Sequence, residues 1–185
     1  MAPASRLVQV TRVIRKAQTH SSGEARELLA TLLATELASP SKCIWLVSPW
    51  ITDLPIVDNS AGTFGPLSPW GNRPATLAEV LISLALGDSM IVIGTTPDPH
   101  NRTFINRMRS LAADQRVNEK ILIKIDESNV LHTKSVVADD YAIVGSMNLT
   151  IAGIDVREEY IELKTDQAFV AQARIDCFES FGGFL

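Results

Sequence analysis

Helical patterns and short apolar segments alternate along the first two thirds of this chain, and that alternation most constrains its fold. Each helical segment carries apolar residues at i, i+3 and i+4 spacing, and each is followed by a short segment rich in Ile, Val and Leu. This order is typical of an α/β fold with a mixed, largely parallel β-sheet and helices on both faces. The predicted helices are 21–38, 76–86 and 102–113, and the predicted strands are 43–47, 90–94 and 120–125.

Polar residues mark the starts of two of these helices. Ser21 with Glu24, and Thr76 with Glu79, have the spacing of capping boxes. Farther along the chain, a strand is predicted after Glu159 and a closing helix over 165–181. We therefore expect a single domain over 21–185, since 185 residues suffice to bury one sizeable core.

The first 20 residues form a separate basic segment. They contain four Lys or Arg residues and no acidic residue, and 6–17 carries an apolar stripe at helical spacing. We expect a docking helix in an N-terminal arm over 1–20, although an organellar transit peptide has the same pattern. Two cysteines form neither a disulfide framework nor a zinc site, and no apolar run is long enough to span a membrane, so we expect a cytoplasmic protein.

A long segment rich in proline and glycine separates the first strand from the next helix, over 51–75. Loops of this length in compact domains are usually functional or disordered. Its aromatic residues Phe64 and Trp70, together with Trp50, have three possible roles that the sequence leaves open. They line a substrate cleft, they attach the loop to the body of the domain, or they contact a second subunit.

Charge is unevenly distributed along the chain. The formal net charge is −4, yet residues 1–124 carry 13 Lys and Arg against 10 Asp and Glu, whereas 125–185 carry 4 against 11. Basic residues are concentrated in 1–20 and in 100–124, and the latter includes Arg102. Such patches can neutralise phosphates locally while the whole molecule stays acidic. An equally good interpretation is that they are solvated helix faces.

The most specific motif in the sequence is a polar hairpin over 131–148. His132 and Lys134 are two residues apart, so in an extended segment their side chains leave the same face. Asp139 is an odd number of positions from Lys134, so its side chain should point away from the face that His132 and Lys134 share. The alternative is an ordinary polar hairpin whose His and Lys face water. The positions at which the motif specifies a particular residue are His132, Lys134, Asp139, Gly145, Ser146 and Asn148.

This pattern resembles the signature of the phospholipase D superfamily, which is His-x-Lys, four residues, Asp, and then Gly-Ser-x-Asn. Five residues separate Asp139 from Gly145, one fewer than is usual in that family. The triplet Ser48, Pro49 and Trp50 also resembles the segment that follows the first strand of phospholipase D domains. The resemblance implies a phospholipase D-like α/β fold over 21–185.

The resemblance also implies roles for the site residues. His132 would be the nucleophile or acid, acting through a phosphohistidine intermediate, with no metal or other cofactor. Lys134 and Asn148 would hold the non-bridging oxygens, and Ser146 would donate to a phosphate oxygen or to a glutamate. The glutamate that supports the histidine is Glu159, or alternatively Glu158. Asp139 and Gly145 are expected to be structural, and the candidate substrate contacts are Ser48, Trp50, Trp70 and Arg102.

One copy of the motif supplies only one of the two histidines that the chemistry uses. The chain shows no internal repeat, so we expect a homodimer in which the two copies of His132 share one site and titrate as a coupled pair. Small single-motif members of the family are typically bacterial nucleases, some associated with defence against foreign DNA, so DNA is the expected substrate. One alternative is a phospholipid headgroup hydrolase with an apolar rim of Phe64, Leu67 and Trp70. The other is a nucleic-acid-binding subunit of a larger complex.

Overall fold

A seven-stranded mixed β-sheet forms the centre of the computed structural model, which describes residues 11–16, 23–128, 130–156 and 159–185. The strand order in this sheet is β1-β9-β8-β7-β2-β5-β6, and β3 and β4 form a separate two-stranded sheet. The strands are β1 Thr11–Lys16, β2 Cys43–Val47, β3 Pro55–Asp58, β4 Pro74–Thr76, β5 Met90–Thr95, β6 Ile121–Ile125, β7 Ser135–Val137, β8 Ala142–Gly145 and β9 Glu159–Lys164. The helices are α1 Glu24–Ala38, α2 Leu77–Leu86, α3 Arg102–Asp114 and α4 Gln167–Phe181.

The predicted α/β class with a mixed sheet is confirmed. Strands β2, β5 and β6 pair in parallel because each crossover between them contains a helix. The remaining pairs, from β1 through β9, β8 and β7 to β2, are antiparallel. The fraction of strand pairs that are antiparallel is larger than the sequence pattern indicated, because β7 and β8 form a hairpin and β9 returns beside β8.

Helices cover both faces of the sheet, as predicted. Residues of alternate parity along β2 enter different cores, since strand side chains alternate between faces. Ile44 and Leu46 pack with α1, α2 and α3 in the larger core, whereas Trp45 packs on the opposite face with Cys177 of α4. The Trp45 indole N–H also donates to the Gly182 carbonyl at 2.8 Å, which ties the end of α4 to the sheet.

The predicted N-terminal helix is wrong for the part of it that the structure describes. Thr11–Lys16 form β1, the edge strand, which pairs antiparallel with β9. The segment contains three β-branched residues, which favour strands, and its Ile14 is buried in the larger core. The predicted arm over 1–20 otherwise lies outside the described residues.

One of the two predicted capping boxes is present. At the start of α2 the Thr76 hydroxyl accepts from the Glu79 N–H, and the Glu79 carboxylate accepts from the Thr76 N–H. The predicted box at Ser21 is wrong, because α1 begins at Glu24 and its N-cap is Gly23, which has no side chain to accept a hydrogen bond. Ser21 itself lies outside the described residues.

The segment 51–75 is folded onto the body of the domain. It contains β3, a 3₁₀ turn over Gly65–Trp70 and the start of β4. Leu67 is fully buried, Phe64 packs against the larger core, and the Trp70 indole N–H donates to the Ser83 hydroxyl at 2.8 Å. Of the three roles left open for this loop, attachment to the domain is the one observed for Phe64 and Trp70. The apolar rim proposed with Leu67 is therefore wrong.

Candidate active site

An open cleft of about 970 Å³ lies where five segments of the sheet end or begin. Because β7 runs antiparallel to β2, the residues just before β7 meet those just after β2 and β5. The residues after β8 and at the start of β9 arrive at the same edge for the same reason. The cleft therefore brings together five of the predicted site residues, His132, Lys134, Ser146, Asn148 and Glu159.

His132 and Lys134 face this cleft from the segment that precedes β7. The Lys134 ammonium donates to the His132 carbonyl at 2.6 Å and lies 3.5 Å from His132 Nδ1, which is too far for a strong hydrogen bond. The His132 side chain is exposed, whereas Lys134 is buried. Burial lowers the pKa of Lys134, and the negative charge of Glu159 opposes that shift. The cleft thus holds an accessible imidazole beside a fixed cation.

Ser146 and Glu159 form a bonded pair on the far side of the cleft. The Ser146 hydroxyl donates to Glu159 Oε2 and accepts from the Tyr160 N–H at 3.0 Å. Of the two partners left open for Ser146, the glutamate accepts its hydrogen bond in this structure, and donation to a phosphate oxygen stays a prediction. Within the described part of the chain, the Glu159 carboxylate bonds to Ser146 and not to the His132 imidazole. Support of the histidine by Glu159 stays a prediction, and Glu158 lies outside the described residues.

Asn148 is held in place by Ser48, across 100 residues of sequence. The Ser48 hydroxyl lies 3.2 Å from Asn148 Oδ1 and 2.8 Å from the Trp50 carbonyl, and it accepts from the Leu149 N–H at 3.3 Å. The Ser48 hydroxyl has one proton for these two acceptors, and the Trp50 carbonyl is the nearer, so the contact with Asn148 Oδ1 is the weaker of the two. It still places the amide oxygen of Asn148 against Ser48 and leaves the amide N–H groups for the cleft. Ser48 is fully buried, so the prediction that it contacts substrate is wrong. It positions Asn148 instead.

Asp139 points away from the cleft, as its parity indicated. It lies beyond the other end of β7, where its carboxylate accepts from the Lys42 N–H at 2.9 Å and pairs with Arg174 of α4 at 3.1 Å. Its own N–H donates to the Ser41 hydroxyl at 3.2 Å. These contacts join the hairpin to the start of β2 and to α4, which is a structural role.

Gly145 is required by a close approach of two backbones at the cleft. A Cβ atom at this position would lie 1.9 Å from the Tyr160 carbonyl oxygen, and the residue has a φ of 155°. No side chain fits there without moving β8 away from β9. The glycine therefore allows the Ser146 hydroxyl to reach both Glu159 and the Tyr160 N–H.

Two of the predicted substrate contacts do not reach the cleft. Trp70 is attached to α2 through Ser83, because the 3₁₀ turn directs its ring toward the body of the domain. Arg102 is exposed at the start of α3 and is not among the residues that line the cleft. Other bases of this segment form ion pairs, Arg107 with Glu79 at 3.3 Å and Lys120 with Asp88 at 2.9 Å. These contacts favour the interpretation of 100–124 as a solvated helix face.

Trp50 does line the cleft, together with two residues that the motif did not indicate. Its ring is 40% exposed, and its indole N–H donates to Asp98 at 3.0 Å. Hydrogen bonds from the His100 N–H and from Trp50 hold the pKa of Asp98 below its usual range. Asp98 and Tyr160 also line the cleft. Tyr160 could have been found from its place beside Glu159, whereas Asp98 carries no signal in the sequence.

In the residues that the structure describes, no three His, Cys, Asp or Glu side chains are grouped as metal ligands would be. Over the same residues, no helix has the length and apolar character needed to cross a bilayer.

Several solved structures have the same fold. Nuc from Salmonella typhimurium, a phospholipase D family member, has a TM-score of 0.61 at 13% identity, with 93% of each chain covered. NucT from Helicobacter pylori has a TM-score of 0.57 at 13% identity, covering 95% of this chain and 99% of that one. A phosphatidylserine synthase from Haemophilus influenzae has a TM-score of 0.60 at 13% identity, covering 94% of this chain but 38% of its own.

No family model and no curated protein matches the sequence. At the level of the fold, the solved structures confirm the resemblance that the His-x-Lys motif indicated. The chain has the mixed α/β fold of the phospholipase D superfamily.

Proposed function

We propose that this protein is a metal-independent phosphodiesterase that cleaves DNA through a phosphohistidine intermediate on His132. The observation that carries the proposal is the convergence of three groups on one cleft. An accessible imidazole lies beside the Lys134 ammonium, and the amide of Asn148 is oriented toward the same space by Ser48. A nucleophile flanked by a cation and an amide donor is the set that a phosphoryl group in transfer requires.

The chemistry divides into two displacements. In the first, an imidazole nitrogen of His132 bonds to phosphorus, the bond from phosphorus to the leaving oxygen breaks, and that oxygen takes a proton from an acid. In the second, water attacks phosphorus, the N–P bond breaks, and the water proton passes to the now deprotonated acid. Lys134 and Asn148 stabilise the charge on the non-bridging oxygens in both steps.

The acid in this scheme comes from a second copy of the chain. In the described part of the chain, His132 is the one histidine that lines the cleft. The other described histidine, His100, bonds to Thr52 in a neighbouring groove. The cleft is open to solvent, so a two-fold dimer can bring a second imidazole to the same phosphate. A monodisperse active monomer in light scattering would contradict this part of the proposal.

The structure favours nucleic acid over a lipid as the substrate. A lipid hydrolase needs an exposed apolar rim at the bilayer surface, and the residues expected to form it are buried or packed on the domain. Because a phosphatidylserine synthase has the same fold, hydrolysis of a phospholipid headgroup is the second candidate function. A nucleic-acid-binding subunit of a larger complex, without turnover, is the third.

The test is cleavage of plasmid and single-stranded DNA in EDTA by the wild type and by His132→Ala. We expect cleavage by the wild type and a loss of at least about 1,000-fold in the variant, because the nucleophile itself is removed. His20→Ala is the matched control, since no proposed step uses that histidine, and it should cleave as the wild type does.

Three other outcomes would contradict the proposal. Cleavage by the wild type that EDTA abolishes would show that a metal is needed. Release of a headgroup from phosphatidylcholine vesicles without DNA cleavage would establish the lipid hydrolase. Tight DNA binding that His132→Ala leaves unchanged, with no turnover of either substrate, would establish the binding subunit.

A further inference from the structure

A second groove adjoins the candidate active site, and Trp50 lines both. It has a volume of about 620 Å³, within the range of small-molecule sites, and it shares Trp50 and Asp98 with the active-site cleft. Trp50 and Asp98 therefore lie where the candidate active site and this groove meet. Its other wall-forming residues include Thr52, His100, Ile151 and Val156.

The Trp50 ring is fixed in position although it is half-exposed. Its indole N–H donates to one carboxylate oxygen of Asp98 at 3.0 Å, and the other oxygen accepts from the His100 N–H at 2.8 Å. The His100 ring in turn lies 2.9 Å from the Thr52 hydroxyl. Because this chain of hydrogen bonds immobilises the indole before any ligand arrives, binding against its face loses little conformational entropy.

The groove is also lined by exposed aliphatic residues on an anchored segment. Ile151 is 53% exposed and Val156 is 65% exposed, so both present side chains to solvent beside the groove. The helical segment that carries Val156 is held by Arg26 of α1, which donates to both carboxylate oxygens of Asp155 at 2.8 and 2.7 Å. The groove thus combines an aromatic ring, aliphatic side chains and the polar groups of Asp98 and Thr52.

We propose that this groove binds an unpaired nucleobase next to the scissile phosphate, stacked on Trp50, so that the substrate is a single-stranded nucleic acid. The inference rests on the proposed nuclease function and specifies its substrate. A nucleobase has two apolar faces and hydrogen-bonding edges, which match the groove, and Asp98 can accept from an exocyclic amino group. An acyl chain would leave the polar groups of Asp98 and Thr52 without partners.

The geometry selects an unpaired base for a simple reason. In a duplex each base is stacked on both faces and paired along its edge, so it cannot also lie against a protein ring. Stacking on aromatic side chains is tolerant of sequence because every base has an aromatic face. The groove therefore distinguishes single strands from duplexes, and apart from a preference of Asp98 for bases with an exocyclic amino group it does not read the order of the bases.

The test compares ordinary single-stranded oligonucleotides with ones that carry a single abasic residue, its position moved along the strand relative to the cleaved bond. For the wild type we expect the abasic residue to reduce kcat/KM by about tenfold to a hundredfold when it lies next to that bond. In Trp50→Ala the ordinary substrate should lose the same factor, and the abasic residue should then make no further difference. Phe178→Ala, which removes an equally exposed ring on α4, should behave as the wild type.

A binding measurement makes the test independent of turnover. Single-stranded DNA added to the inactive His132→Ala protein should quench tryptophan fluorescence, and the quenching should be lost in His132→Ala/Trp50→Phe if Trp50 is the ring that stacks. Equal cleavage of ordinary and abasic strands by the wild type would refute the inference and leave the nuclease proposal intact. Hydrolysis of phosphatidylcholine with no cleavage or binding of DNA would refute both.

Discussion

Ser48→Ala tests most sharply how this fold builds its site. Ser48 is fully buried after β2, and its hydroxyl contacts Asn148 Oδ1, the Trp50 carbonyl and the Leu149 N–H. Alanine keeps the Cβ and removes the hydroxyl alone. Buried groups that lose their partner cost about 1–3 kcal/mol, so the free energy of unfolding should fall by that amount. The corresponding decrease in Tm is roughly 2–12 °C for a chain of this size.

The loss of activity should exceed what the loss of stability explains. Without the Ser48 hydroxyl, the Asn148 amide is free to rotate, and one donor to the phosphoryl oxygens is lost or misplaced. Removal of a preorganised donor of this kind costs about 100- to 1,000-fold in kcat. The assay is cleavage of single-stranded DNA in EDTA at a temperature where urea unfolding shows that the variant is fully folded.

Ser89→Ala is the matched control for this prediction. Ser89 is also fully buried, and its hydroxyl donates to the Ser41 carbonyl at 2.6 Å, but it lies at the opposite end of the sheet from the cleft. It should lose about 1 kcal/mol of stability and keep the activity of the wild type. If Ser48→Ala kept the same kcat as Ser89→Ala, the claim that Ser48 positions a catalytic amide would be refuted.

Two further predictions concern the scaffold. Gly145→Ala should lower the free energy of unfolding by about 3 kcal/mol or more, because the new Cβ overlaps the Tyr160 carbonyl. Gly65→Ala is the control, since a Cβ at Gly65 has no atom within 4 Å, and it should change the free energy of unfolding by less than about 0.5 kcal/mol. Urea unfolding measures both. Burial raises the pKa of Glu36, so its protonated form is favoured in the folded state. The stability that protonated Glu36 contributes is complete below the ordinary glutamate pKa of about 4.3 and is lost as pH rises through the raised pKa. Because glutamine does not titrate, the free energy of unfolding of Glu36→Gln relative to the wild type should increase between those two pKa values, as measured by urea unfolding at several pH values. A difference that stays constant with pH would contradict the assignment.

The fold class and the cleft residues were accessible from the sequence because they depend on local patterns. Helical and strand periodicity predicted α1, β2, α2, β5, α3 and β6 in their order, but not β3 and β4. The resemblance of the motif to the phospholipase D signature predicted that His132, Lys134 and Asn148 meet. Parity alone indicated that Asp139 points away from the cleft, and its contacts with Lys42 and Arg174 agree with that.

The errors share a physical cause, which is that long-range packing decided the outcome. The segment around Ile14 satisfies a helical pattern, but pairing with β9 makes Thr11–Lys16 a strand. Trp70 and Trp50 have similar sequence surroundings, yet the Ser83 hydroxyl on α2 holds one on the body while Asp98 holds the other in the cleft. No local signal reports partners that are 13 and 48 residues distant.

The most direct test of the central claim is mass spectrometry of protein quenched during turnover of single-stranded DNA. We expect a covalent adduct in which the phosphate of the cleaved DNA strand is bonded to the peptide that carries His132. It should form in EDTA and on no more than half of the chains, since one histidine of each pair serves as the acid. The adduct should be absent from His132→Ala. Turnover that proceeds with no adduct on His132, or an adduct on another residue, would contradict it.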